Sequence, residues 1–363
     1  MTVQPQPTIG IVANPASGRD IRRLVAQASV FPTAEKANMV RRLLAAFATT
    51  GVSRALLSTD LGGISAAVLR AARTRRPGKD APWPRIEFCE DDPLTGDARD
   101  TTNAVHRMID AGARVIVCLG GDGTARVAAA ACGDVPLLAL STGTNNAFPQ
   151  MREATVAGLA AGLVATGAVD EGTTVHRAKA LEVSAGQRTE LALVDVCASL
   201  SAHVGSRALW NPAELTELFC TFAEPDGIGL SSIPGLLCPT PRRVPNGVAL
   251  RLGPPEQASL VVEAPIAPGL VVPVGVRDWR PLRPGDTAEI ALPGGVVAVD
   301  GEREIEVGAA PVRVRLRAGP RCVDVPAVLA EAARLGLLVR RNHREGSVND
   351  DGHLAHAGDR RPD

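Results

Sequence analysis

Two glycine-rich clusters, each directly after an apolar run, constrain this chain more than any other feature. The runs are VIVCL (115–119) and VPLLAL (135–140), and the clusters are Gly120–Thr124 and Ser141–Asn146. The first run shows no alternation of apolar and polar residues, which is typical of a parallel strand covered on both faces. Because the carboxyl ends of such strands open into the crevice where α/β folds bind ligands, both clusters are expected to face a binding site.

Strand and helix patterns alternate through the first domain that we predict, residues 8–147. Short apolar runs indicate strands, and apolar residues at helical spacing indicate helices between them. The predicted strands are 8–13, 53–59 and 86–90, and the predicted helices are 34–49, 63–75 and 100–112. This alternation predicts an α/β fold with an open parallel sheet.

The pattern changes after about residue 170, where alternating runs punctuated by glycine and proline replace the helices. Two runs flank Gly186-Gln187, a hairpin signal, and six more follow from residue 246 onward. They predict a β-rich second domain, residues 148–322, with an all-β sandwich or barrel. Within it, Asn211-Pro212 followed by ELTELFCTF predicts a helix.

Two further segments complete the chain. An apolar pattern at 325–339 predicts a helix, and we expect the segment 323–340 to pack back on the first domain. The polar residues 341–363 are expected to form a disordered tail.

Composition argues against several classes of partner. Lysine plus arginine and aspartate plus glutamate are balanced at 39 each, so net charge gives no reason to expect nucleic acid or an anionic membrane. Aromatic residues make up 2%, which removes the stacking surfaces of single-strand binders. No signal-peptide pattern and no apolar stretch of about 20 residues occurs. We therefore expect a cytoplasmic protein without stable membrane insertion, whose seven cysteines are buried free thiols.

The first glycine cluster combines phosphate-binding features with a carboxylate. Glycine lets backbone N–H groups approach an anion, so Gly120, Gly121 and Gly123 suit a phosphate. Asp122 would repel that phosphate unless it holds Mg²⁺ or takes a proton from an attacking hydroxyl. A tight turn in which Asp122 caps the following helix explains the same residues without a ligand. On the residues alone, both interpretations stay open.

Three well-known motifs are absent from the sequence. It contains no G-x-x-x-x-G-K-[ST], so a phosphate-loop NTPase lacks its lysine. No G-x-G-x-x-G follows the first predicted strand, which disfavours a nicotinamide oxidoreductase. No G-x-S-x-G nucleophile elbow occurs either.

Four motifs, in order along the chain, resemble those of the superfamily that contains NAD kinases, diacylglycerol kinases and sphingosine kinases. Gly120–Thr124 resembles its GGDGT signature, and Asn14–Gly18 resembles the N-P-x-S-G loop of the lipid-kinase branch. Gly143–Phe148 resembles that branch's G-T-x-N-x-F segment, and Val299–Glu302 resembles the D-G-E element of both branches. Within the superfamily, the chain most resembles the AcoX group, NAD-kinase-like proteins associated with acetoin catabolism.

The resemblance implies a Rossmann-like parallel-sheet domain followed by an all-β sandwich, and phosphorylation of a hydroxyl by Mg-ATP. It makes Asp122 the central carboxylate, orienting the acceptor hydroxyl or Mg²⁺, and Glu302 the general base. Asp300-Gly301 is equally a good hairpin turn. ATP and Mg²⁺ are the implied cofactors. The residues implied to bind them or the substrate are Asn14, Ser17, Gly18, Gly120, Gly121, Gly123, Thr124, Gly143, Thr144, Asn145, Asn146, Asp195 and Asp300.

One departure concerns the acceptor. NAD kinases carry A-L-N-E-V after the sheet domain, and their Asn-Glu pair contacts NAD. Here the matching stretch is Ala192–Val196, in which Asp195 replaces the acid but Val194 cannot make the hydrogen bonds of asparagine. A lost bond of this kind is worth roughly 1 kcal/mol, and more if a polar ligand group is left buried and unpaired.

The acceptor therefore has two candidates: NAD, or a small or lipid-borne diol. A second class of function is a non-catalytic protein that binds a nucleotide or NAD. We expect a small-molecule or dinucleotide substrate, no nucleic acid partner, and a homo-oligomer by resemblance to the superfamily.

Overall fold

Helices and strands alternate in the first part of the chain and give way to strands in the second. A computed structural model describes residues 6–18, 31–76, 78–89, 93–143, 145–200, 214–290, 292, 294–307 and 310–340. The first elements are β1 (Thr8–Ala13), α1 (Thr33–Thr49), β2 (Arg54–Ser58), α2 (Ile64–Thr74), β3 (Arg85–Cys89), α3 (Ala98–Asp110), β4 (Val115–Gly120), α4 (Asp122–Ala131) and β5 (Leu137–Ser141). The later helices are α5 (Ala154–Ala165), α6 (Glu171–Thr174), α7 (Ser232–Leu237) and α8 (Val325–Leu335). The later strands are β6 (Val175–Ala185), β7 (Arg188–Ala192), β8 (Asp195–Ser199), β9 (Leu215–Cys220), β10 (Gly247–Gly253), β11 (Leu260–Ala267), β12 (Leu270–Leu282), β13 (Thr287–Ile290), β14 (Val296–Val299), β15 (Glu302–Glu306) and β16 (Val312–Val323).

One long sheet runs through both parts of the chain. Its parallel half has the order β3-β2-β1-β4-β5, which confirms the predicted open parallel sheet. Strand β16 joins β5 in parallel at one pair, Cys322 with Leu137, and then pairs antiparallel with β6 and β13. The segment that we predicted to be β-rich therefore also extends the parallel sheet. The boundary at residue 147 stays a prediction.

Helices cover both faces of the parallel half. The apolar sides of α1, α5 and α8 share one core cluster, in which α8 buries Val325, Val328 and Ala332. On the other face, α3 and α4 pack their valine, methionine and alanine side chains on the sheet. Helix α8 stops at Leu335 because Gly336, with φ of +67°, turns the backbone into the left-handed conformation. None of the helices in the described ranges has the length and apolar content that crossing a membrane requires.

The second sheet is antiparallel and has the order β11-β12-β10-β9-β8-β14-β15. Its inner face packs on the antiparallel half of the long sheet, where Val183 and Val314 meet Val196, Phe219 and Val297. These two layers form the predicted β-sandwich, and one of its layers is continuous with the parallel sheet.

The helix predicted for ELTELFCTF is wrong, because this stretch forms strand β9. Strand β9 lies in the second sheet between β8 and β10. Leu218 and Cys220 face one core cluster while Phe219 faces the other, so the strand is apolar on both faces. Periodicity alone does not separate a short strand of this kind from a buried helix. Asn211 and Pro212 lie outside the described residues.

The seven cysteines are all free thiols. Cys118, Cys132, Cys197 and Cys220 are buried as predicted, whereas the other three are partly exposed. Burial raises the pKa of Cys118 to about 12, which keeps it protonated near neutral pH and unreactive.

Candidate active site

Lys36, a buried lysine, fixes the loop after β1 through hydrogen bonds to the loop backbone. The Lys36 ammonium, on α1, donates to the carbonyls of Asn14 at 3.0 Å, Pro15 at 2.9 Å and Ser17 at 2.7 Å. Lys36 is fully buried. Gly18 completes the loop with φ of +74°, and a Cβ there would lie 2.8 Å from the Thr142 carbonyl oxygen. Both the backbone conformation and the close approach therefore require glycine at this position.

Side-chain hydrogen bonds join this loop to the two glycine-rich clusters. The Asn14 amide donates to Thr124 Oγ1 at 2.8 Å, and the hydroxyls of Ser17 and Thr142 lie 2.7 Å apart. Asn146 Nδ2 donates to Ser141 Oγ at 2.8 Å inside the second cluster. The structure therefore brings together the loops that follow β1, β4 and β5.

Asp122 is the first residue of α4, and its carboxylate fixes the segment Ala147–Phe148. It accepts hydrogen bonds from the Ala147 N–H at 3.0 Å and the Phe148 N–H at 2.7 Å. On the other side of the same segment, the Arg242 guanidinium donates to the carbonyl oxygens of both residues. We call Ala147–Phe148 the bridging segment, because the Asp122 carboxylate binds its N–H groups and the Arg242 guanidinium binds its carbonyl oxygens.

The glycines of the first cluster are packed by side chains of the protein itself. A Cβ on Gly120 would lie 2.5 Å from Thr124 Cβ, and one on Gly121 would lie 2.8 Å from Asn146 Oδ1. A Cβ on Gly123 would lie 3.3 Å from Glu302 Oε1. The absence of side chains at these positions thus lets Thr124, Asn146 and Glu302 close on the turn.

Glu302 reaches this turn from a tight hairpin in the second sheet. Asp300 and Gly301 have φ of 51° and 75° and connect β14 to β15, so the hairpin interpretation of this motif is confirmed. Glu302 begins β15 and places its carboxylate beside Gly123. The hairpin therefore places the Glu302 carboxylate at the N-terminus of α4. A hairpin turn at this motif is compatible with a functional role for Glu302.

Asp300 fixes the backbone where the chain passes from the long sheet to the second sheet. Its buried carboxylate accepts from the N–H groups of Leu193 at 3.0 Å, Val194 at 2.8 Å and Asp195 at 3.3 Å. Leu193 and Val194 are the two residues between β7 of the long sheet and β8 of the second. Burial, followed by the negative charge of Asp122, raises the pKa of Asp300 to about 7, although Arg126 and the backbone N–H groups oppose this.

Arg126, one turn along α4, stands among three carboxylates. Its guanidinium nitrogens lie 3.7 Å from Asp300 Oδ2, 4.0 Å from Glu302 Oε2 and 3.6 Å from Glu190 Oε2. Arg126 is 9% exposed, so water screens these charges weakly. It joins α4 electrostatically to strands of both sheets.

The remaining predicted residues lie around the same turns. The Gly143 carbonyl accepts from Asn146 Nδ2 at 3.4 Å, and a Cβ on Gly143 would lie 3.8 Å from Gly18 Cα. Asp195 is buried at the start of β8, and its carbonyl accepts from the Asp300 N–H at 2.9 Å. Both side-chain amide atoms of Asn145 are buried and have no hydrogen-bond partner in the described part of the chain. Thr144 lies outside the described residues.

Three cations of this region were missed by sequence reasoning: Lys36, Arg126 and Arg242. Arg126 follows the GGDGT motif by two residues, but its carboxylate partners come from strands more than 60 residues away. Lys36 carried a usable signal, since Lys36, Lys79 and Lys179 are the lysines of a chain otherwise rich in arginine. Lys79 is exposed, whereas Lys36 and Lys179 both donate to backbone carbonyls.

The residues fit ATP and Mg²⁺ only partly as a preformed site. The N-terminus of the ten-residue helix α4 suits a phosphate, and the orphaned amide of Asn145 suits a polar ligand group. No group of three or more metal-ligating side chains occurs among the residues that the structure describes. Mg²⁺ needs only one or two carboxylates when phosphates and water complete its shell, so Asp122 with bound phosphates fits that ion.

A parallel sheet with GGDGT at the end of its fourth strand, followed by an antiparallel sheet domain, defines an NAD-kinase-like protein. Residues 9–169 match the ATP-NAD kinase N-terminal domain, and residues 179–319 match the acetoin catabolism protein X C-terminal domain. The chain is 42% identical over 344 residues to acetoin catabolism protein X of Cupriavidus necator, covering 93% of this chain and 95% of that protein. The chain therefore belongs to the acetoin catabolism protein X family.

Proposed function

We propose that this chain is a kinase that uses Mg-ATP to phosphorylate a hydroxyl group. One observation carries the proposal: two carboxylates, one from helix α4 and one from the second sheet, lie at the same turn. Asp122 begins α4 inside that turn, and Glu302 lies against Gly123 from the second sheet. A helix N-terminus beside two carboxylates suits a reaction in which a phosphate is held while a nearby hydroxyl loses its proton.

In this proposal Glu302 is the general base. ATP supplies the phosphoryl group when bound, and Mg²⁺ neutralises its charge. The acceptor oxygen forms a bond to the γ-phosphorus, the bond to the β–γ bridging oxygen breaks, and the acceptor proton passes to Glu302. Arg126 orients Glu302 and Asp300, and Asp122 fixes the bridging segment and takes part in holding Mg²⁺.

The structural setting of Val194 supports an acceptor other than NAD. Val194 is 2% exposed, and its side chain has no amide group. Its backbone N–H already donates to Asp300, so this position offers no N–H group to a ligand. A small or lipid-borne diol remains the alternative acceptor. Since the relative from Cupriavidus necator is named for acetoin catabolism, we propose that the reaction serves that process.

A non-catalytic nucleotide-binding protein is the second candidate function. It is favoured by the hydrogen bonds of Asp122 to Ala147 and Phe148, which explain an aspartate here without any chemistry. Such a protein would bind ATP or NAD and release no ADP.

The test is ADP release by the full chain with Mg-ATP and one acceptor at a time: NAD, NADH, acetoin-like diols or diacylglycerol. Asp122→Asn is compared with Glu289→Gln, a control in which the lost carboxylate is more than half exposed and pairs only with Arg313 in the described structure. Turnover with one acceptor that is lost in Asp122→Asn and kept in Glu289→Gln supports the kinase. Binding of ATP or NAD by calorimetry without turnover supports the second candidate, and the absence of both binding and turnover refutes both candidates.

A further inference from the structure

A cavity of about 260 Å³ lies on the Arg242 side of the bridging segment. It forms where β5 and β16 separate after their single pair, between the edge of β5, the beginning of β6 and the start of α8. Phe148 lines it, and the N–H of Phe148 donates to Asp122. The cavity wall is therefore one peptide group away from the carboxylate at the GGDGT turn.

The cavity lining is strongly basic. Four cationic side chains line it, Arg152, Lys179, Arg242 and Arg243, against one carboxylate, Asp324. Asp324 pairs with Arg243 and caps α8 through the Ala327 N–H. Arg242 is engaged by Glu224 and the bridging segment. Among the residues that the structure describes, the lining thus carries more positive charge than the neighbouring carboxylates compensate.

Two groups in the lining are suited to a ligand. The Lys179 ammonium donates to the carbonyls of Pro241 at 3.1 Å and Asn246 at 2.8 Å, which leaves its third proton for another acceptor. His176 Nδ1 is buried and has no hydrogen-bond partner in the described ranges. Burial, reinforced by the positive charges of Arg243 and Arg242, lowers the pKa of His176. Burial also lowers the pKa of Lys179 to about 8.

We propose that this cavity is an anion-binding site and that its ligand is a small hydroxylated anion whose phosphate or carboxylate group binds Lys179, Arg152 and His176. The site rests on the residues that line the cavity and not on the kinase function proposed above. An anion there neutralises the excess positive charge and satisfies the buried imidazole. A cavity of this volume holds about nine waters, so it suits a ligand of roughly ten non-hydrogen atoms.

The test compares three ligands that share a hydroxylated three-carbon skeleton: glycerol, glycerate and glycerol 3-phosphate. Each is titrated into the full chain by calorimetry without ATP. We expect glycerol to give no binding and at least one of the two anions to bind. The better anion identifies the group that the cavity selects. Failure of both anions, or equal binding of glycerol, overturns the proposal.

Matched variants locate the bound anion. Lys179→Met is expected to weaken anion binding at least tenfold. Arg152→Gln removes a guanidinium that donates a hydrogen bond to Gln150 at 2.6 Å, and it should weaken anion binding about threefold. Arg177→Gln removes a positive charge from the same strand, but Arg177 pairs with Asp134 and does not line the cavity. Its affinity should stay within twofold of the wild type. An equal loss in Arg177→Gln and Lys179→Met would show nonspecific charge attraction and refute the site.

A labelling experiment avoids any substitution. An amine-reactive reagent at pH 8 should modify Lys179, and mass spectrometry reads its rate against exposed Lys79. We expect the bound anion to slow modification of Lys179 severalfold and leave Lys79 unchanged, while glycerol protects neither. An unprotected Lys179 refutes the site. ADP release in the same preparation tests the kinase separately. Anion binding without turnover with any acceptor leaves the site and removes the kinase, whereas turnover without anion binding does the reverse.

Discussion

The two sides of the bridging segment, Ala147–Phe148, carry opposite charge and are built differently. On the GGDGT side, Asp122 holds the N–H groups of the segment, and Asp300, Glu302 and Arg126 form a network with unlike charges close together. On the cavity side, Arg242 holds the carbonyls, and the remaining cations face an open volume. The charges on the first side are largely paired with one another, whereas on the second side the cations that line the cavity outnumber the carboxylates among the described residues.

This difference assigns separate tasks to the two sides. A network of paired charges holds its groups in fixed positions, which suits chemistry that depends on orientation. Unbalanced charge around a cavity provides affinity for a ligand of the opposite sign. Substitutions on the GGDGT side should therefore change turnover, and those on the cavity side should change ligand binding.

The largest expected effect is on turnover in Glu302→Gln. Removing a general base lowers kcat by about a hundred- to ten-thousandfold. Because Glu302 lies at Gly123 and does not line the cavity, the affinity for glycerol 3-phosphate or glycerate should stay within twofold. Steady-state kinetics and calorimetry on one preparation check both. A tenfold loss of anion affinity would show that the two sides act as one electrostatic unit.

The next effect is on stability in Asp300→Ala. Three buried N–H groups lose their acceptor and alanine is strained at φ of 51°, so the free energy of unfolding should fall by about 3 kcal/mol. Asp300→Asn keeps an acceptor oxygen and tolerates this φ, and it should cost about half as much. Urea denaturation measures both. Asp278→Ala on the surface is the control, and a loss no larger than in that variant would contradict the pinning role of Asp300.

Arg242→Leu tests the cavity side of the same segment. Loss of the guanidinium leaves the carbonyls of Ala147 and Phe148 and the Glu224 carboxylate without this donor, at a cost of about 2 kcal/mol. The surface variant Arg251→Leu should cost less than 0.5 kcal/mol, on the order expected for exposed positions. If urea denaturation shows equal stability for the two variants, Arg242 does not hold the bridging segment.

The smallest effect is the pH dependence that Lys179 confers on stability. Its pKa is about 8 in the folded protein against 10.5 for the unperturbed group, so the unfolded chain binds more protons between these values. The free energy of unfolding attributable to Lys179 should therefore rise between pH 8 and 10.5, by about 1 kcal/mol after screening by water. The wild type minus Lys179→Met difference, followed by denaturation at several pH values, isolates this contribution. A flat difference would mean that the ammonium is well solvated.

The parts of the site that the sequence made predictable are those encoded locally. An apolar run followed by glycines gave β4 and the turn into α4, and Asp300-Gly301 gave the hairpin between β14 and β15. The convergence of Asp122 and Glu302 was expected only from resemblance to a kinase superfamily. Nothing within either segment specifies it, because Glu302 follows Asp122 by 180 residues and reaches the turn at Gly123 from the second sheet.

The features that sequence analysis did not predict depend on packing between residues that are far apart along the chain. In the sequence, Arg126 and Arg242 resemble ordinary surface arginines, because their hydrogen-bond and ion-pair partners lie far away along the chain. The cavity forms because β16 and β5 separate after a single residue pair. No residue pattern in either strand predicts that separation. Strand β9 was missed for a related reason, since its burial on both faces follows from neighbours that are distant along the chain.

Strand β16 has a consequence for how the protein is made. It runs from Val312 to Val323 and connects the parallel half of the long sheet to β6, yet it is the last strand among the residues that the structure describes. On the ribosome, a nascent chain that ends before this strand carries the GGDGT turn and the D-G-E hairpin but leaves β5 and β6 with open edges. The acid network and the basic cavity therefore acquire their final spacing only after Val323 has been synthesised.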